Sequence, residues 1–306
     1  MPNNREIVAA RPEKVSGLDP FRPYHFLHEQ EPGPDGKLRR VNTIFLTNRE
    51  CPFKCVFCDL WKHTLDSPTP VGAIPAQIRY ALERLPQADV LKLYNNGNFF
   101  DLKAIPRKDY PEIAQLCEGY ERVITENHPK IGGPQVEEFR DMISGELEIA
   151  IGIESIHPEV LPRLNKQITM QDLAQTAARF REAGIALRGF ILLNPPYLTN
   201  PDEIRRSCLD TIHFAFDSGF ETVSIIPVRT GNGYMERLQD AGDYVPPDLR
   251  MLEDVMTEAL SWKRGRVFAD LWDVELFWKE KEEGFKDWQA RMEELNLTQH
   301  VGAQKG

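Results

Sequence analysis

Eight residues, CPFKCVFC at 51–58, hold three of the five cysteines in a chain of 306 residues. Cys51, Cys55 and Cys58 follow the spacing C-x3-C-x2-C, which crowds three thiols into one short loop. Where thiols stay reduced, clusters of this kind hold metal more often than they form disulfides. Three arrangements fit these residue types. The thiols could be three buried side chains that happen to be close. With His63 the set becomes C-x3-C-x2-C-x4-H, a closed tetrahedral zinc site. Alternatively, three thiolates hold three irons of an iron–sulfur cluster and leave the fourth iron for a ligand from outside the protein. Cys117 and Cys208 lie apart, each in a helix-like segment, and are expected to be small buried hydrophobes.

Such a loop needs a framework, and the sequence around it predicts one. VNTIFLT (41–47), directly before the cysteines, is β-branched and aromatic-rich, as a buried strand is. Similar runs follow at DVLKLYN (89–95), RVITE (122–126), LEIAIGI (147–153), IALRGFILL (185–193) and ETVSIIPV (221–228). Helix-periodic segments alternate with them at 73–85, 110–120, 133–143, 169–184 and 200–219. Thr169 and Gly184 bracket one of these helices, and Asn200-Pro201 and Gly219 bracket the next. Repeated βα units with right-handed crossovers predict an α/β fold, a partial (β/α)6 TIM-like barrel of parallel strands with helices outside. Its chemistry belongs at the C-terminal ends of the strands.

Residues 1–40, rich in Pro, Gly and charge, are expected to form an irregular arm, 41–245 the barrel core, and 246–306 a helical segment packed on the barrel. Within the last, the aromatics of LWDVELFWKEKEEGFKDW (271–288) are expected to face the barrel, and the tail LTQHVGAQKG to fray. The net charge of -10 argues against a surface that coats nucleic acid. No apolar run of about 18 residues is present, so no membrane span is expected. The charged N-terminus lacks the apolar core of a signal peptide, which leaves a cytoplasmic location as the expectation.

CPFKCVFC, with the aromatic Phe57 before its third cysteine and a strand before the loop, resembles the cysteine motif of radical S-adenosylmethionine (SAM) enzymes. The resemblance extends over roughly residues 41–245. It implies one 4Fe-4S cluster on Cys51, Cys55 and Cys58, whose open iron chelates the amino and carboxylate groups of SAM. Reductive cleavage then gives a 5'-deoxyadenosyl radical that abstracts hydrogen from substrate. By the same resemblance Phe57 lies beside the adenine, and the turn in YNNGNFFD (Asn95, Asn96, Gly97, Asn98) binds the methionine amino group through backbone carbonyls. Glu154 in IGIES meets the ribose hydroxyls, while Lys166 in LNKQ and Arg188 in LRGF pair with the SAM carboxylate. Glu126, Asn127 and His128 end the third strand and face substrate or SAM, with Glu126 and Glu154 as candidate catalytic carboxylates. A single cluster is expected, because no second cysteine motif is present.

KLYNNGNFFDLKAIP, FILLNPPYLTNPDE and IIPVRTGNG followed by DYVPP resemble the family that contains the radical SAM subunit of archaeosine synthase. The wider group includes the elongator catalytic subunit and the tRNA methylthiotransferases. This resemblance implies a tRNA substrate, a lyase or related reaction on a modified base, and a partner subunit that modifies that base. A flavodoxin or ferredoxin would supply the electron. Two readings stand beside it. One is a radical SAM enzyme acting on a small metabolite or peptide, in keeping with the acidic chain. The other is a zinc-stabilised binding protein without enzymatic activity.

Overall fold

The structure is a computed structural model and describes residues 2–278 and 283–302. In chain order the elements are α1 (Asn4–Ala10), β1 (His25–Pro32), β2 (Leu38–Phe45), α2 (Ala73–Leu82), β3 (Val90–Tyr94) and α3 (Tyr110–Leu116). Next come β4 (Arg122–Asn127), α4 (Gln135–Met142), β5 (Glu146–Glu154), α5 (Met170–Glu182), β6 (Ala186–Leu193), α6 (Pro201–Asp217) and β7 (Thr222–Pro227). The chain ends in α7 (Tyr234–Asp240), α8 (Leu249–Ser261), β8 (Arg266–Ala269) and α9 (Phe285–Thr298). The strands form one sheet in sequential order, parallel throughout except that β1 runs antiparallel to β2. Among the described residues no helix is long and apolar enough to cross a membrane.

All six expected strands form, within a residue or a few at each end, and so do the five helices between them. Alternation along β5 shows why. Leu147, Ile149, Ile151 and Ile153 join the apolar layer beneath the helices, while Glu148 and Glu154 belong to the opposite, interior face. Helix α5 starts at a capping box in which Thr169 and Asp172 each accept from the other's backbone.

Two strands go beyond the expectation. The N-terminal arm is not irregular throughout, because His25–Pro32 pairs residue by residue with β2. Its charged, half-exposed pattern is that of an edge strand, which hides it from a reading based on burial. In the segment expected to be helical, Arg266–Ala269 is a strand parallel to β7, too short to show a period. The sheet stays open between β8 and β1, and α9 packs against both. Two side-chain amides of this terminal helix region complete the exposed edge of β8. Asn296 accepts from Ala269 N–H at 2.8 Å and donates to its carbonyl at 2.9 Å. Gln299 does the same at Val267, at 2.7 and 2.9 Å. The start of the tail expected to fray is thus tied down, while 303–306 lie outside the described residues. Of 271–288, Val274–Phe277 is a short 3-10 turn, Phe285 onward is α9, and 279–282 are outside the described residues. Trp288 is buried in the core as expected, whereas Trp272, expected to pack on the barrel, is 49% exposed.

At the amino ends of the strands the barrel interior holds ions. Glu148, 1% exposed, is shared by Arg122, by Arg188 through Nε at 2.6 Å, and by Arg266 at 3.5 Å. Arg188 also meets Glu31 at 3.0 Å, and Glu31 in turn pairs with Lys92. Arg188 is therefore committed to two carboxylates of the protein. This corrects its assignment to the SAM carboxylate, since an arginine inside the barrel floor does not reach the loop that follows β2. Burial alone would raise the Glu148 pKa, but the three arginines outweigh it and hold the carboxyl at about 2. Because the folded value is depressed, the stabilisation is complete above the ordinary carboxylate value of about 4.3 and is lost as pH falls toward 2. Glu148→Gln should destabilise the protein by about 3–5 kcal/mol in denaturant titrations at neutral pH, because it strands buried cations. The variant should also show a shallower loss of stability than the parent across that acid window.

Candidate active site

After β2 the chain leaves regular structure, and the cysteine loop takes its shape from groups at the other strand ends. Cys51, Cys55 and Cys58 are free and half-buried. Val56 N–H donates to the Leu164 carbonyl at 3.1 Å, and the Asn165 amide donates to Lys54 O at 2.6 Å. The Asn232 amide, beyond β7, donates to Val56 O at 2.7 Å and to Cys58 O at 3.2 Å. Phe53 stacks face to face on His128, with ring centroids 3.6 Å apart. His128 Nδ1 accepts from Lys130 N–H at 3.2 Å, so Nε2 carries the proton and donates to Lys166 O at 3.0 Å. Burial first, and the nearby Lys166 charge second, push its pKa down to about 3, which keeps the ring neutral. The N-terminal arm closes the outer side. Arg11 and Lys54 pair with Glu50 at 2.8 and 2.6 Å, immediately before Cys51.

Against this loop lies the turn that follows β3. A side chain at Gly97 would put its Cβ 2.8 Å from the Cys51 Cβ, so only glycine permits the approach. Glu126, at the end of β4, fixes the turn. Its carboxylate accepts Asn95 N–H at 2.7 Å, with the amides of Gly97 and Asn96 also directed at it. Burial raises the Glu126 pKa against those bonds. These contacts give Glu126 a positioning role. Asn96 adopts a left-handed φ of 56°, and its Oδ1 accepts from Tyr24 OH at 2.7 Å. Both amide atoms of Asn95, and Nδ2 of Asn96 and Asn98, are buried without a hydrogen-bond partner. Unpartnered amides at this density carry a desolvation cost that a polar ligand would relieve.

The third side is the end of β5. The β5–β6 register slips between Gly152 and Glu154, and Glu154 takes a φ of +66°, a conformation that costs a non-glycine residue energy. Glu154 Oε1 accepts from Lys166 Nζ at 2.5 Å, with both side chains at least nine-tenths buried. A Cβ at Gly152 would collide with this ion pair. Lys166 also carries its charge toward the thiols. Burial raises the Cys51 pKa and pushes Cys55 up to about 12, with Lys166 pulling both in the opposite direction. Burial pushes Cys58 up as well. Buried thiols held this way stay protonated until a soft metal binds the sulfur and displaces the proton.

The structure thus gathers Cys51, Cys55, Cys58, the turn from Asn95 to Asn98, Glu126, His128, Glu154 and Lys166 at one end of the barrel. Phe57 is half-buried and packs against the apolar core. His63 is stacked on Tyr24 with centroids 4.7 Å apart, and burial lowers its pKa. Among the described residues no three His, Cys, Asp or Glu side chains are grouped closely enough to hold a single metal ion, the three loop cysteines included. Phe53, Asn165, Asn232 and Tyr24 were not anticipated. Cys117 and Cys208 are buried, as expected of small hydrophobes.

A family model described as the radical SAM superfamily matches residues 45–207. An uncharacterized protein of Methanocaldococcus jannaschii is 22% identical over 73% of this chain and 66% of its own length. Archaeosine synthase subunit beta of Thermococcus kodakarensis is 24% identical over 65% of this chain and 64% of its own. The chain therefore matches just under two thirds of those relatives' lengths. Coproporphyrinogen III oxidase of Escherichia coli, a radical SAM enzyme, shares the fold with a TM-score of 0.50 at 14% identity, covering 85% of this chain and 55% of that one.

Gly97→Ala should cost about 1–3 kcal/mol in denaturant titrations, because the new methyl displaces the loop that carries Cys51. Asn232→Ala should lower the melting temperature, because it also strips the acceptor from Tyr234 N–H and Met235 N–H, and should raise the rate at which the loop thiols of the still-folded protein react with a maleimide.

Proposed function

The chain belongs to the radical SAM superfamily, whose members use a 4Fe-4S cluster and SAM, and on that premise we propose how its own residues serve the reaction. The observation that carries the proposal is the three-thiol loop pressed against a glycine turn whose asparagine amides lack partners. Cys51, Cys55 and Cys58 would hold the cluster and leave one iron for SAM. When bound, cluster and SAM supply an electron and a 5'-deoxyadenosyl radical able to take hydrogen from carbon.

The unpartnered amides of Asn95, Asn96 and Asn98 suit the polar methionine end of SAM, and Gly97 lets that turn stand against the first cysteine. Glu126 holds the turn by its amides, so its role is to position. Glu154 offers a carboxylate to the ribose hydroxyls while its partner Lys166 balances the carboxylate of SAM and the thiolates. Phe57 would lie beside the adenine. Neutral His128 keeps Phe53, and with it the loop, in place without adding charge next to Lys166. Preorganised groups of this kind supply binding, orientation and exclusion of water, while the cofactors carry the bond-breaking step.

For the substrate we infer a modified tRNA base, in a lyase or related C–N or C–C bond reaction, with a reductant protein such as flavodoxin or ferredoxin and a second subunit that prepares the base. The likeness to archaeosine synthase subunit beta supports this reading. The net charge of -10 favours a small metabolite or peptide as the second reading.

Anaerobic reconstitution should give a brown protein with about four irons per chain. Cys55→Ala should lose that absorbance and abolish reductive SAM cleavage; cleavage that persisted without the cluster would overturn the three-thiolate site. Reduced enzyme with SAM should release 5'-deoxyadenosine faster with a tRNA pool than with a small-metabolite extract, and the reverse order would select the second reading.

A further inference from the structure

At the end of the barrel opposite the cysteine loop, a cavity of about 300 Å3 lies between the β1–β2 hairpin and the amino ends of the strands. Arg39, Arg122, Arg188 and Arg266 line it, together with the carboxylates Glu31, Asp35, Glu121 and Glu146. Charge in this floor is unbalanced. Lys92, Arg122, Arg188 and Arg266 have side chains 5%, 9%, 3% and 12% exposed. Of the carboxylates that pair with them, Glu148 and Glu31 are buried to a similar degree, at 1% and 15%, whereas Glu29, Glu146 and Glu221 lie at the rim, 37%, 44% and 52% exposed. Two buried positive charges are left without a buried counterpart.

Arg266 carries most of this imbalance. Its Nη1 donates to the Pro32 carbonyl at 3.2 Å, but Nη2 is buried without a hydrogen-bond partner, and its nearest carboxylate, Glu148, stands 3.5 Å away. Arg122 and Arg188 already hold Glu148 more closely. Burial, followed by the charges of Arg188 and Arg122, lowers the Arg266 pKa from its usual value even though Glu148 opposes the shift. A guanidinium in this position costs stability until an anion reaches it.

We propose that the floor cavity is a binding site for a compact dianionic oxyanion, a phosphate group, anchored by Arg266. Phosphate carries about -1.5 to -2 charges near neutral pH and matches the planar fork of arginine. The cavity exceeds a bare phosphate, so a monoester with a sugar-sized substituent fits as well as the free ion. The site is separate from the cysteine loop and does not depend on cluster or SAM.

The test is thermal unfolding and titration calorimetry of the full-length holoenzyme at low salt, with inorganic phosphate, ribose 5-phosphate, succinate, and chloride at matched ionic strength. Phosphate or ribose 5-phosphate should raise the melting temperature saturably, and by the same amount in Cys55→Ala. The stronger of the two assigns free ion or monoester. Arg266→Gln should weaken binding about tenfold or more, as the loss of a charged hydrogen bond predicts. Arg266→Lys, which keeps the charge but not the fork, should bind with intermediate affinity and serves if the glutamine variant fails to fold. A response no greater than that to chloride, an equal response to succinate, or phosphate binding unchanged in both variants would overturn the site.

Discussion

The approach of Gly97 to Cys51 is the contact on which the rest of the site depends. An irregular loop with three thiols has no backbone ladder of its own, so its position must come from neighbours. A Cβ at position 97 would meet Cys51 at 2.8 Å, and the loop and the turn would separate. The turn is able to stand there because Glu126 accepts its amides. Glu126 in turn sits at the end of β4, next to β3 in the sheet, which is why strand order and thiol geometry are linked. From the other sides Asn232, Asn165 and the Phe53–His128 stack complete the enclosure, each reaching in from a different strand end. A single flexible loop thereby acquires the rigidity that cofactor chemistry requires.

The two ends of the barrel use buried charge in opposite ways. At the floor, Glu148, Arg122 and Arg188 satisfy one another closely, and their work is structural. At the mouth, a strained Glu154, its Lys166 partner and several asparagine amides stand in a less satisfied arrangement. Strain and unpartnered groups cost stability, and they persist where surrounding packing over-determines them. Here that packing is the apolar layer between sheet and helices, which includes Ile149, Ile151 and Ile153 of β5. Arg266 alone among the floor cations shares the under-satisfied character of the mouth.

The open side of the sheet shows how a partial barrel avoids an exposed edge. Full closure would remove both edges, but β8 and β1 do not pair. Helix α9 lies against both strands instead, and Asn296 and Gln299 offer β8 the donors and acceptors that a ninth strand would have supplied. The N-terminal arm performs a similar service at the other end of the barrel, where Arg11 steadies Glu50 and Tyr24 steadies Asn96.

Much of this was legible in the amino-acid sequence because it depends on local pattern. Alternation marks strands buried on one face, 3.6-residue periodicity marks the helices between them, and the C-x3-C-x2-C spacing marks a loop whose thiols could hold metal. Those signals sufficed for six strands, five helices, the order of elements and the three thiols. Tertiary structure decided what depends on pairing across the chain. β1 and β8 became strands through their neighbours, since an edge strand with charged residues and a four-residue strand carry too little periodicity to be recognised. Arg188 could be read only as a cation near a strand; which carboxylates it met depended on how β1, β5 and β6 fold together, and they met at the floor. Asn232 lies 174 residues from Cys58 and bonds its carbonyl. A hydrogen bond between residues so far apart leaves no trace in the local spacing of either, because side-chain direction is set only when the backbone closes.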